Sequence, residues 1–265
     1  AYYRSGYSVS LSSDGNILAI GSPNITGNSS SSYVRIYIWN GFTWFQLGQI
    51  NGEAAGERSG HSVSLSSDGN TVAIGAPYND GNGSVSGHVR IYSFNGISWN
   101  QLGNDIDGEA AYDQSGYSVS LSSDGGTVAI GAPNNNGNGL HSGHVRIYSF
   151  NGSSWNQLGN DIDGDAADDA SGYSVSLGSD GNTLAIGSNS GVWNVIGYVR
   201  VYSWNGSSWS QLGQDINGAV NGTISSDGNT LAIGAPHSNS GHVRIYSYYG
   251  NSWYQLSQDI DGESA

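Results

Sequence analysis

Carboxylates at alternate positions are the first residues in this chain whose spacing could do chemistry. Asp105, Asp107 and Glu109 stand at i, i+2 and i+4, with Asp113 beyond them, and Asp161, Asp163 and Asp165 repeat the spacing ahead of Asp169. Hard oxygen ligands spaced in this way suit Ca²⁺. Asp105, Asp107, Glu109, Asp161, Asp163 and Asp165 are therefore the candidate calcium ligands, the plain alternative being a solvated strand exit. Calcium is the one ion or cofactor the sequence suggests. Against it, Gly108 falls earlier than in an EF-hand loop, and the first unit of the chain offers only Gln49, Asn51, Glu53 and Glu57 at these places.

A tryptophan recurs just past an Asn-Gly turn, as Trp44, Trp99, Trp155, Trp209 and Trp253. Indole faces stack on sugars, so Trp99, Trp155 and Trp209 are candidate ligand-binding residues, although one tryptophan per repeat also suits a packing wedge. Trp193 is not repeated and sits in a long loop, which marks it as a candidate ligand or partner contact. An arginine recurs at Arg35, Arg90, Arg146, Arg200 and Arg244. Its presence in every unit favours a structural ion pair or aromatic stack over anion capture. Histidine gives no metal signal, because His88, His144 and His242 alternate with Tyr33 and Tyr198 at one repeat position, and His61 stands where other units have Tyr7, Tyr117 and Tyr173.

Glycosylation sequons begin at Asn24, Asn28, Asn82, Asn151, Asn205 and Asn221. Their number is what so Asn- and Ser-rich a chain gives by chance. Their placement on hairpin turns and polar loops, where a glycan would stand in water, is the better evidence. No nucleophile elbow, phosphate loop or metal motif is found. The paired acids repeat with the units, and catalytic sites are seldom built five times over, so the expectation is a chain that is not an enzyme.

What must position these residues is a repeat. A Ser-Asp-Gly landmark falls at Asp14, Asp68, Asp124, Asp180 and Asp227, in steps of 54, 56, 56 and 47 residues. Within the second unit, His61, Val63 and Leu65 alternate with serines, a period of two that predicts a strand. Asp68-Gly69-Asn70 is a turn, and Thr71 to Ala76 a second strand that Pro77 ends. His88 to Phe94 is a third strand, Asn95-Gly96 a hairpin turn, and Trp99 to Ile106 a fourth. Four antiparallel strands in a unit of this length make a propeller blade. The chain is accordingly read as all-β, a single five-bladed β-propeller of four-stranded antiparallel blades, with blades at about 1–55, 56–111, 112–167, 168–218 and 219–265. The first two strands each carry one face of Val, Leu and Ile and one of Ser, Ala and Gly. The bulky face of one blade is expected to seat on the small face of the next. The expectation is a closed ring, which would have to close by blade-on-blade packing alone; the alternative is that these five units are part of a longer array.

Ile74-Gly75-Ala76-Pro77 recurs at Ile130 to Pro133 and Ile233 to Pro236, with Ile20-Gly21-Ser22-Pro23 a close variant. Together with Gly-His-Val-Arg-Ile-Tyr downstream, it resembles the FG-GAP repeat of integrin α-subunit propellers and related bacterial proteins. Ser59-Gly60 stands where that family has Phe-Gly, and copy four departs with Ile186-Gly187-Ser188-Asn189. The family's Asp-rich calcium loop is replaced by Ser-Ser-Asp-Gly-Asn, which looks like the hairpin of WD40-type blades. The resemblance implies a propeller and extracellular recognition or adhesion, without calcium at Asp68 or its equivalents.

Composition narrows the partners. A net charge of −14, with seven arginines and no lysine, repels nucleic acid and anionic membranes. No run of 18 apolar residues predicts a membrane span, and no signal peptide is visible. Cys and Met are absent, which suits an oxidising, extracellular or cell-surface life. The function expected is a non-catalytic extracellular module, structural or adhesive, that self-associates into a fibre or surface layer. The alternative is a glycan-binding, lectin-like propeller. Partners are then other copies, an extracellular protein or a glycan.

Overall fold

The computed structural model describes residues 4–24, 31–189, 197–235 and 241–263. It contains five antiparallel sheets in chain order and, among the described residues, no helix. Among those residues no helix is therefore long and apolar enough to cross a membrane. In the second blade the strands are Ser62–Leu65, Thr71–Ala76, His88–Phe94 and Trp99–Gln101, paired consecutively, with Ile106–Asp107 returning to pair with the start of the third strand. The fourth strand, read as continuous to Ile106, is thus broken. Leu102 still donates its N–H to the Ile91 carbonyl, but Gly103 turns into the left-handed region at φ 76° and bulges the chain outward. The first blade has one residue fewer here, and its strand runs unbroken as Trp44–Ala55.

The Ser-Asp-Gly hairpins form as their side chains dictate. Ser66 Oγ donates to Asp68 Oδ1 (2.6 Å), which also accepts the Asn70 N–H, while the Thr71 N–H bonds Ser66 Oγ. Gly69 supplies the positive φ of 71°. The backbones of successive hairpins then join: the N–H of Ser13 donates to Ser67 O, Ser67 to Ser123 O, Ser123 to Ser179 O and Ser179 to Ser226 O.

Blades nest through four apolar seams. Val63, Leu65, Val72 and Ile74 of the second blade pack on Ile17, Ala19, Val34, Ile36 and Ile50 of the first. The bulky face therefore seats on the small face of the preceding blade, not of the next as expected, helped by the valine and isoleucine of that blade's third strand. The same pattern joins blades two to three, three to four and four to five. The small serines are polar ties: Ser8 Oγ donates to Gly60 O, and Ser10 Oγ accepts the Leu65 N–H, with equivalents at Ser62, Ser64, Ser118 and Ser120. Glycine at position 75 is required because a Cβ there would lie 2.0 Å from the Gly116 carbonyl oxygen of the next blade.

Among the described residues no such seam joins the fifth blade to the first. Val9 and Leu11 are 62% and 53% exposed, where Val63 and Leu65 are 9% and 8%. At the other end Val243 and Ile260 are exposed, whereas Val89 and Ile106 are buried. A Cβ at Gly234, the equivalent of Gly75, would meet nothing within 4 Å. The five blades form an open arc, not the closed ring expected, and the two halves of the repeated seam stand bare at its ends.

Candidate functional site

Between blades the recurrent arginine serves as a tie. Arg90 lies 3.3 Å from Glu53 of the preceding blade and donates to the Asn51 carbonyl. Arg146 lies 3.6 Å from Glu109 and donates to the Asp107 carbonyl. Arg200 reaches back to Asp165 and also pairs with its own blade's Asp215, whose carboxyl the guanidinium holds below the usual carboxylate range. Among the described residues Arg244 pairs only with its own Asp259, because the shortened lead-in to blade five carries Ala219 where the other blades carry an acid. Each guanidinium of blades one to four also lies over a tyrosine ring, from 4.2 Å for Arg200 on Tyr198 to 5.7 Å for Arg90 on Tyr92.

This network corrects the calcium reading. The alternating acids of one blade do not gather around a common centre. Asp105 accepts from Gln101 and faces His88, and Asp107 lies beside the Gly81 loop. Glu109 turns to the next blade's Arg146 and His144. In the following blade Asp161 and Asp163 flank His144, and Asp165 is taken by Arg200. The three acids at alternate positions are thus held by different partners, and among the described residues no group of potential ligands is all-oxygen, each including a histidine. The histidines are also more than space-fillers. Glu53, His88 and Asp105, then Glu109, His144 and Asp161, and lastly His242, Asp259 and Asp261 form three clusters of potential ligand atoms. Burial, with the neighbouring arginine, pushes His88 and His144 down to about 4, so both imidazoles are neutral at pH 7. Sequence reading missed them because it compared His with Tyr at one position. The available signal was His-x-Arg on the third strand opposite Asp-x-Asp on the fourth.

The repeated tryptophans are packing wedges. Trp155 Nε1 donates to the Leu102 carbonyl of the preceding blade at 2.7 Å, Trp209 to Leu158 and Trp253 to Leu212. Trp99, Trp155 and Trp209 all lie against the apolar seams, and each stacks on an aromatic of its own blade (Phe94, Phe150 and Trp204). All three ring faces are engaged, and so are the N–H groups of Trp155 and Trp209, an arrangement that suits packing better than a platform for a sugar. Trp193 lies outside the described residues.

The open cleft is elsewhere. A depression of about 510 Å³ spans blades two to four, lined by Tyr78, Gln114, Tyr117, His141, Asp168 and Tyr173 among others. An aromatic row runs beside it, with ring centroids 5.0 Å apart for Tyr7–His61, 4.7 Å for His61–Tyr117 and 5.2 Å for Tyr117–Tyr173. Burial, with the Tyr173 hydroxyl alongside, raises the Tyr117 phenol above its usual range. Gln114, His141, Asp168 and Ala170 all have positive φ, at 57°, 51°, 64° and 50°. Such backbone strain in non-glycine residues concentrates at binding sites. These residues differ from blade to blade, so comparing repeats could not reveal the cleft.

Of the sequons, Asn24 is fully buried and cannot carry a glycan. The side-chain amide of Asn82 is occupied, donating to the carbonyls of Gly108 and Glu109. Asn151 and Asn205 sit on exposed turns, and Asn221 is exposed on a first strand. Asn28 lies outside the described residues.

The architecture defines the class: a β-propeller of five antiparallel blades. The model of the FG-GAP repeat family matches residues 51–92 and 106–148, the segments holding Ile74 to Pro77 and Ile130 to Pro133. No curated protein matches the chain significantly. Among solved structures, the chain is similar to hydrazine synthase of Kuenenia stuttgartiensis (14% identity, TM-score 0.64, covering 97% of this chain and 67% of that one). It is also similar to a putative 6-phosphogluconolactonase of Bacteroides uniformis (13%, 0.58, 97% and 86%). A third is the periplasmic gluconolactonase of Pseudomonas aeruginosa (17%, 0.61, 94% and 69%). At these identities the likeness is one of fold. It nevertheless overturns the expectation that a chain of this kind is not an enzyme. Proteins named as lactonases share the fold, and a catalytic site grafted on unrepeated loop residues leaves no mark in the repeat.

Proposed function

We propose that this chain is a structural or adhesive propeller module that works by edge-to-edge association, its fifth blade receiving the first blade of another copy. One observation carries the reading: the two ends of the arc expose the complementary halves of a seam that the chain itself forms four times. Val9 and Leu11 are the bulky half, and Val243, Ile260 and the space over Gly234 are the receiving half. Such a head-to-tail contact is heterologous and generates rings or open fibres, consistent with a fibre or surface layer. The lack of Cys and Met and the exposed sequons at Asn151 and Asn205 support an extracellular setting. Gly234→Ala tests this. At the internal seam the equivalent Cβ on Gly75 would strike the next blade, whereas on Gly234 it has open space. The variant should fold normally yet remain monomeric by light scattering at concentrations where the unaltered chain associates. A strictly monomeric unaltered chain, or a Gly234→Ala chain that associates equally well, refutes the reading.

A second reading, glycan recognition, is favoured by the cleft and its tyrosine row, not by the repeated tryptophans. Reproducible signals on a glycan array that vanish in Tyr117→Ala would support it; signals that survive in that variant would count against it.

A further inference from the structure

His144 presents an unresolved polar balance. It is 1% exposed, its Nε2 has no hydrogen-bond partner, and its Nδ1 approaches Asp161 Oδ2, Glu109 Oε2 and Asp163 Oδ1 only to 3.6, 3.9 and 4.0 Å. Nδ1, the nitrogen turned toward these carboxylates, stops short of hydrogen-bonding distance from all three, which leaves a place for a water or an ion between them. His88 repeats the arrangement one blade earlier, with Nε2 unpartnered and Nδ1 3.5 Å from Asp105 Oδ2, and Glu53 close by.

The spacing fits a shared cation. Zinc binds imidazole nitrogen and carboxylate oxygen at about 2.0–2.2 Å in a tetrahedron. That geometry sets its ligand atoms roughly 3.3–3.6 Å apart, against 3.5, 3.6 and 3.9 Å between imidazole nitrogen and carboxylate here and at most 4.8 Å within each cluster. A nitrogen donor among carboxylates selects zinc or a neighbouring transition metal over calcium or magnesium.

We propose that the seam between blades two and three binds one divalent transition metal of the zinc class through His144 Nδ1, Glu109 and Asp161, and that the seam between blades one and two binds a second through His88, Glu53 and Asp105. Each site takes its glutamate from the preceding blade, so the ion clamps two blades together. Glu109 and Asp161 are 46% and 28% exposed at the side chain, which gives the ion a route from solvent. Arg146, 3.6 Å from the other Glu109 oxygen, opposes the cation's charge but holds that carboxylate in position, the role of an outer-shell partner. Blade four serves as an internal control. Tyr198 replaces the histidine there, and its hydroxyl donates to Asp169 at 3.0 Å, so the phenol satisfies itself and leaves no donor for a metal.

The test is calorimetric titration of the full chain with Zn²⁺ and separately with Ca²⁺. His144→Tyr should fold, because blade four carries tyrosine at that place, and Glu109→Gln provides a second variant at an exposed position. Zinc uptake should fall by one equivalent in His144→Tyr and by one in His88→Tyr, and Glu109→Gln should weaken binding at least tenfold. Zinc should raise the thermal midpoint of the unaltered chain, and calcium should leave it unchanged. Equal zinc uptake by the His88→Tyr/His144→Tyr double variant, no zinc uptake by the unaltered chain, or calcium binding as tight as zinc would overturn the proposal.

Discussion

Leucine occupies the same place in the first three blades, as Leu11, Leu65 and Leu121, within the identical sequence Ser-Val-Ser-Leu. Truncating each to alanine isolates the effect of blade packing from that of local sequence. Leu65 and Leu121 are 8% and 7% exposed and belong to seam cores. Removing a buried leucine side chain costs about 2–5 kcal/mol, the transfer loss plus a cavity that cannot fully close. Leu11 is 53% exposed. It retains about half the transfer loss and opens no cavity, so its cost is about 1 kcal/mol. Urea unfolding followed by tryptophan fluorescence, at dilute protein, should therefore give midpoints for Leu65→Ala and Leu121→Ala well below that of Leu11→Ala. If copies associate at their ends, the Leu11→Ala deficit should widen as concentration rises, because a neighbour then covers that side chain. Equal losses at positions 11 and 65 under dilute conditions would show that the first strand is already covered, and would refute the open arc.

Acidification of metal-free protein probes the buried imidazoles. An unfolded chain protonates histidine near pH 6.5, whereas folded His88 and His144 resist until about 4. The unfolded state binds more protons between those limits, so stability is full above pH 6.5 and falls as pH drops toward 4, by a few kcal/mol in all, on the order that linkage gives. The His88→Tyr/His144→Tyr variant should flatten the pH 6.5–4.5 portion of a stability curve, and an unchanged slope would count against the assignment. Trp155→Phe keeps most of the wedge but removes the bond to the Leu102 carbonyl; the expected loss is about 1–2 kcal/mol by urea unfolding, including the orphaned carbonyl. When the chain is made in a secretory host, mass spectrometry should find glycan at Asn151 or Asn205 and none at Asn24 or Asn82. Occupancy at Asn24 would mean that its burial is misassigned.

The blades were legible because the chain states each strand five times. Val63 and Leu65 alternating with serine, the Asp68-Gly69 turn and the Pro77 stop carry all their information locally. The second strand, Thr71–Ala76, and the third, His88–Phe94, fall where the pattern puts them. The break in the fourth strand was less visible, since one extra residue around Gly103 has no composition of its own. The sites were harder still. Glu109 meets His144 only because blades stack, and no reading within one repeat brings residues of two blades together. Gln114 and Ala170 look like linker residues until the backbone gives them positive φ. The openness of the arc is not written in any one repeat, because Leu11 and Leu65 are chemically the same and differ only in having a neighbour.

The single residue missing from the first blade's bulge has a mechanical meaning. With the chain shortened at Gly48, whose absent Cβ leaves room for the Trp99 ring, Trp99 Nε1 finds no carbonyl and stays unpaired, unlike its counterparts in the later blades. The last seam is likewise deprived of its crossing ion pair by the shortened lead-in at Gly218. Cohesion is thus graded along the array, strongest at its centre and slackest at both extremes. Under tension or in hydrogen exchange, the arc should peel from its two ends inward, blades two to four parting last.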